Sequence, residues 1–213
     1  MLTIRFRNVS DFIVNGVSNG SVATVHLQPV IEKRAYACAH HDDGVMSGAL
    51  DEWERRVAEV WDTADGRRED DVVAAIDALA ARRPDGDAAA MFERASALDY
   101  AGHEAEAEPL YRAALAAGLE ERRRRLAVIQ LASTVRNLGR AAESVDLLRT
   151  EIARVGPRDE LHEARVAFLA LALVDADQPV SAVVEALTAL AAHLTDFRRS
   201  VTAYIDELRR RSG

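Results

Sequence analysis

The chain has one cysteine, one lysine and few aromatic residues, and each scarcity removes a class of protein. With Cys38 alone, no intrachain disulfide can form, so a disulfide-stapled secreted scaffold is excluded. Lys33 has no glycine before it in register, which rules out a Gly-x4-Gly-Lys phosphate loop. No Gly-x-Ser-x-Gly nucleophile elbow occurs. Aromatics are 5% of a chain that is 49% hydrophobic and rich in alanine, a balance that suits close-packed helices and suits a sandwich or barrel poorly. No stretch approaches the roughly 18 uninterrupted apolar residues of a membrane span. The N-terminus is broken by Arg5, Arg7, Asn8 and Asp11, so it lacks the apolar region of a signal peptide. The expectation is a cytoplasmic chain with no membrane partner.

What is present is acidic. The formal net charge is -8, which repels a phosphate backbone and argues against nucleic acid as a partner. The one basic run, Arg122 to Arg125, follows Glu120 and Glu121 and reads as the solvated start of a helix.

A compositional seam lies near residue 45. Residues 1–45 contain Lys33 and three of the four asparagines, Asn8, Asn15 and Asn19. The segment is rich in Val, Ile, Thr and Phe, and "NGVSNG" supplies turn chemistry for at most a weak hairpin, which is marginal without a face to pack on. It is either disordered or an accessory arm, or else Met46 is the native start and the upstream part an over-extension; composition favours the last. Its "CAHHDDG", residues 38–44, holds Cys38, His40, His41, Asp42 and Asp43 in one cluster. A structural zinc site usually draws two ligand pairs from separate turns, and no second pair exists here, so no metal and no cofactor is expected.

From Leu50 onward the chain reads as helix. Leu50, Trp53, Val57, Val60 and Trp61 follow the i, i+3, i+4, i+7 spacing of an amphipathic helix, and Val72, Val73, Ile76, Leu79 and Ala80 trace a second stripe. Pro84 and Gly86 end it. Beyond residue 87 a pattern repeats. Gly102, Gly139 and Asp177 stand 37 and 38 residues apart at the turns of successive hairpins. Seven residues before each comes a small residue (Ala95, Ala132, Ala170), and four before it a branched apolar one (Leu98, Val135, Leu173). Five after it comes another small residue (Ala107, Ser144, Ala182), and four further on Tyr111, Leu148 and Ala186. The small residues face each other and let the two helices approach. Glycine at the turn reaches the left-handed conformation without steric cost. Pro109 falls near the start of its helix, which is expected to continue through Tyr111 to Leu115.

This pattern resembles the tetratricopeptide repeat, whose first helix carries W-x2-L-G-x2-Y and whose second carries A-x3-F. The first position is Met91, Val128 or Val166; Leu is kept at Leu131 and Leu169 and replaced by Arg94; the glycine is Ala95, Ala132 or Ala170. The copies are degenerate and run a few residues longer than the usual repeat of about 34. The stretch "MFERASALDYAGHEAEAEPLYRAALAAGL" running into "AVIQLASTVRNLGRAAESVDLLR" looks like a group of short bacterial tetratricopeptide proteins of unassigned function. The resemblance implies an all-α fold: a superhelical solenoid of antiparallel helix hairpins over residues 46–213. The hairpins are expected at about 50–83, 88–118, 122–155 and 160–194, with a C-terminal capping helix over 196–211. That helix carries Phe197, Val201, Tyr204, Ile205 and Leu208, and a terminal repeat needs a polar outer face.

The resemblance further implies a non-enzymatic protein or peptide-binding scaffold, with the first helix of each hairpin lining the concave face. Carrying the register over places Phe92, Glu93, Ser96, Asp99 and Tyr100 there, then Ile129, Gln130, Ser133, Arg136 and Asn137, then Phe168, Leu171 and Asp175. Arg136 and Asn137 with Tyr100 make the most recognition-like group, because a guanidinium fork, an amide and an aromatic can grip a peptide. The Lys/Asn/Arg clamp with which some members hold a terminal carboxylate is absent: its positions are mostly Phe92, Ser96, Ile129, Ser133, Ala167 and Leu171. No catalytic site is expected. "HEAEA" and "HEARV" lack the second histidine of a zinc-protease helix at Ala107 and Val166. The alternative reading is a self-associating module, a homodimer built from the Ala-rich hairpins.

Overall fold

Three turns built the same way set the repeat. At Gly102 (φ 80°), Gly139 (φ 82°) and Asp177 (φ 57°) the chain takes the left-handed conformation that closes a helix. In each, the next amide donates back to the branched residue four before the turn: His103 N to Leu98 O (2.8 Å), Arg140 N to Val135 O (3.0 Å) and Gln178 N to Leu173 O (2.8 Å). This six-to-one bond is that of a Schellman cap. Asp177 shows that the third copy reaches the conformation without glycine, at the steric cost that a side chain brings there.

The computed structural model describes residues 48–212. The expectations for residues 1–45, including the hairpin, the arm and the 38–44 cluster, lie outside the described residues. Within them the fold is all-α, with nine α-helices and no strand. They are α1 (Gly48–Asp62), α2 (Glu69–Ala80), α3 (Ala88–Tyr100), α4 (Glu104–Ala117), α5 (Glu121–Asn137), α6 (Ala141–Val155), α7 (His162–Asp175), α8 (Pro179–His193) and α9 (Arg198–Ser212), with a 3-10 turn at Ala64–Gly66 after α1. Two helix starts are capped by carboxylates that accept orphan amides: Asp87 from Ala90 N (2.8 Å), and Glu120 from Arg122 N (2.8 Å) and Arg123 N (3.2 Å). α4 runs unbroken past Pro109 to Ala117.

The small-residue positions are where the hairpins close. Ala95, Ala107 and Ala132 are fully buried, Ser144 and Ala182 nearly so, and Ser144 Oγ donates to Ala132 O at 2.7 Å across the α5–α6 contact. The apolar positions fill clusters between hairpins: a large one spanning α1 to α5, a second spanning α5 to α8, and a third joining α8 to α9. The odd helices also pack on each other, α3 on α5 and α5 on α7, so they form the inner layer of the solenoid.

The basic run at 122–125 starts α5 as expected but is not solvated. All four arginines are half-buried and ion-paired: Arg122 to Glu160, Arg123 to Glu54 and Glu93, Arg124 to Glu121 and Glu151, Arg125 to Glu121 and Asp159. Their partners come from α1, α3, α6 and the α6–α7 connection, so the run pins neighbouring elements to α5.

Candidate functional site

The inner face is closed at one end and open at the other. At the closed end Phe92, Glu93, Ser96 and Asp99 of α3 are all 0% exposed. Helix α1 makes several contacts there. Trp61 Nε1 donates to Glu93 Oε2 at 3.0 Å, and Trp61 meets Tyr100 edge-on with centroids 5.9 Å apart. Tyr100 Oη donates to Ala64 O at 3.3 Å, and Glu54 receives Arg123 of α5 at 2.8 Å. Arg123 also donates to Glu93 at 3.3 Å, so one guanidinium ties α1, α3 and α5 together. Trp53 Nε1 donates to Leu79 O at 3.0 Å and anchors the other end of α1.

In the middle, Ile129 and Ser133 of α5 are buried, and the half-buried Gln130 accepts from Ser96 Oγ at 3.3 Å. The face opens from the end of α5 onward. Arg136 Nη2 donates to Asn137 Oδ1 at 3.2 Å, and Arg136 Nε lies 3.5 Å from Asp175 Oδ2, an ion pair without a hydrogen bond. Arg136 Nε and Asn137 Nδ2 are buried and have no hydrogen-bond partner. Next to Asp175, Val174 and Leu171 on α7 are 52% and 42% exposed. Phe168 is half-buried against the α5–α8 cluster.

The structure therefore joins Arg136, Asn137 and Asp175, and separately Ser96 and Gln130, whereas Tyr100 turns to α1. Sequence reasoning passed over Val174 and the covering role of Trp61 and Glu54. For Val174 a signal existed, since it stands at the same repeat position as Asp99 and Arg136. For α1 none did, because its contacts are set by the angle at which the first hairpin meets the second.

Asp99 is the chemically unusual member. Tyr111 Oη donates to its Oδ2 at 3.4 Å, while Oδ1 has no partner. Burial drives its carboxyl up to about 7; the nearby polar groups of Thr134 and Tyr111 oppose this and the nearby Glu104 adds to it. In the unfolded chain the group titrates near pH 4. Between about pH 4 and about pH 7 the folded state therefore holds a proton that the unfolded state has lost, and stability falls as pH rises through that window. The paired carboxylates Glu108, Glu121 and Glu143 are shifted down instead, so their contribution disappears at more acidic pH. Asp99→Asn is expected to melt several degrees above the wild type at pH 8 and level with it near pH 4, measured by thermal denaturation. An unchanged difference across that range would overturn the assignment.

A cleft of about 330 Å³ between the starts of α3 and α5 is lined by Asp87, Gly118, Glu120 and Arg123 among others. Its polar side chains are committed, the carboxylates as helix caps and Arg123 to Glu54 and Glu93. Among the described residues, no group of three or more His, Cys, Asp or Glu is placed to hold a metal ion, and no helix is long and apolar enough to cross a membrane. A family model described as Tetratrico peptide repeat matches residues 88–208. No curated protein and no solved structure matches the chain.

Proposed function

The chain belongs to the tetratricopeptide repeat family, and from that premise we propose that it takes up a peptide segment of a partner protein at the open end of its inner face. Proteins of this family act in general as non-catalytic scaffolds for protein–protein interaction. The finer reading concerns where and how. The contact residues are Arg136, Asn137, Leu171, Val174 and Asp175, with Gln130, Tyr100 and Phe168 at the margin. Phe92, Glu93, Ser96, Asp99, Ile129 and Ser133 lie beneath and support that surface rather than touch the peptide.

The observation that carries this reading is two buried donors without a hydrogen bond, Asn137 Nδ2 and Arg136 Nε, the latter held only by a 3.5 Å ion pair to Asp175, beside exposed Leu171 and Val174. A buried donor without an acceptor costs roughly 1–3 kcal/mol. A carbonyl or carboxylate oxygen of a bound peptide relieves that cost, and the two aliphatic side chains give its apolar residues a surface. Few groups that are both apolar and polar-terminated suffice for such recognition.

The test is capture of proteins from the native host by the chain, followed by titration of the retained partner. Arg136→Glu and Leu171→Asp are each expected to weaken that partner's affinity at least tenfold. Arg149→Glu, on the exposed side of α6, should leave it unchanged. Equal binding by all three variants would place the partner elsewhere.

A further inference from the structure

The ion network around the start of α5 does not balance. Arg124, Arg125 and Arg154 share Glu121, and Arg124 and Arg154 also reach Glu151. Arg125 and Arg165 meet on Asp159. Among the described residues, four arginines thus stand against three carboxylates in this network, and one positive charge is left over. The surplus falls where it is hardest to bear. Arg165 has no exposed surface, and its Nε, Nη1 and Nη2 all lack a hydrogen bond. A guanidinium removed from water is costly unless it is hydrogen-bonded as well as paired.

Two further features lie at the same place. Helical side chains lean toward the N-terminus, so Arg165 reaches back to the start of α7, where it meets Asp159. That start has Leu161 as its N-cap, which offers no side-chain acceptor, and Glu163 of the first turn is exposed and pairs with His193. The positive end of the helix dipole therefore adds to the surplus charge. One turn before Arg165 and on the same side of α7, His162 has a buried Nδ1 without a hydrogen-bond partner. When that nitrogen carries the hydrogen it is a further donor.

We propose that Arg165 holds a small monovalent anion of the chloride class between α5, the α6–α7 connection and the start of α7. Charge sets the valence, since one negative unit completes the network. Burial sets the size, because a guanidinium with no exposed surface offers no opening to an organic acid or a polyphosphate. Asp159 lies against Nη2, so Nε and Nη1 are the atoms left for the ion. Asp159 belongs to the α6–α7 connection, whose Pro157, Arg158 and Glu160 are exposed, and local opening of that connection admits the ion. This site is distinct from the peptide groove and does not depend on it.

Thermal unfolding of the full chain in sodium chloride and in sodium gluconate, at equal ionic strength, tests the proposal. An ion that binds only the folded state raises its stability by mass action. Chloride is expected to give a saturating rise in melting temperature of roughly 2–4 °C over gluconate, and bromide should do the same. Arg165→Met should lose that rise, whereas Arg199→Met, exposed on α9, should keep it. If Arg165→Met does not fold, anomalous diffraction from wild-type crystals soaked in bromide decides. An ion within hydrogen-bonding distance of Arg165 supports the site, and none there overturns it. Equal melting in chloride and gluconate, or a chloride effect that Arg165→Met retains, would overturn it as well.

Discussion

Asp159→Ala is expected to lower the melting temperature by roughly 10 °C. The reason is Arg165, a guanidinium with 0% exposure, whose Nη2 lies 2.5 Å from Asp159 Oδ2. None of its three guanidinium nitrogens makes a hydrogen bond, so the ion pair with Asp159 is the one counter-charge that the described residues provide within reach. The Asp159 carboxylate also receives Arg125 and accepts from Leu161 N at 3.0 Å, which ties α5 and the start of α7 together. Burial alone would raise this carboxyl, but the bonds from Arg165 and Leu161 and the charge of Arg125 outweigh it and hold it below the ordinary range. Removing one partner of a buried pair costs roughly 3–5 kcal/mol, because the other is left charged and dry. Arg165→Met should cost far less, since Asp159 keeps Arg125 and Leu161. Equal losses from the two substitutions would show that the pair is not the source. The pH dependence follows from the downward shift: the contribution is complete above the ordinary carboxylate range and is lost as pH falls through the folded value. The gap between wild type and Asp159→Ala should therefore narrow in acid.

Tyr111→Ala is expected to cost roughly 3–5 kcal/mol by chemical denaturation. Tyr111 is 0% exposed, its ring lies 6.2 Å from that of Phe92, and its hydroxyl lies 3.4 Å from both Ser96 Oγ and Asp99 Oδ2. Truncation opens a cavity between α3 and α4 in the cluster that joins α1 to α5. Solenoid stability is a sum of repeat and neighbour terms, so a hole at this contact weakens the hairpin and its hold on α5. Tyr111→Phe keeps the ring and should cost about 1 kcal/mol, as the two hydroxyl contacts are long. It also removes the Tyr111 hydrogen bond that restrains Asp99, so the Asp99 carboxyl should titrate higher still. A loss from Tyr111→Phe as large as from Tyr111→Ala would mean that the hydroxyl, not the ring, holds the hairpin.

Much of the fold was legible because its determinants are local. Helix periodicity, the turn at Gly102 and its repeats, and the small residues at Ala95, Ala107, Ala132 and Ser144 each act within one hairpin. A hairpin's own sequence therefore carries them, and the fixed spacing shows that they recur. The inner face was legible as a set of positions, since a shared register assigns the same helix side to every copy. Which of those positions meet solvent was not. Phe92, Ser96 and Asp99 hold the same register as Ala167, Leu171 and Val174, yet the first three are enclosed and the last three are open.

What the sequence by itself determined is the hairpin, its repeat and the acidic, helix-packed character of the chain, because these depend on neighbours a few residues away. Only the tertiary structure decided the rest. Helix α1 reaches Arg123 of α5 from a distance of 69 residues in sequence. The arginine run at 122–125 is neutralised from four other parts of the chain, and α9 packs on Val184, Leu187 and Ala191 of α8. These outcomes depend on the small angle between successive hairpins and on where the first and last helices come to rest. No local pattern encodes that sum of rotations, and a residue's exposure depends on it entirely.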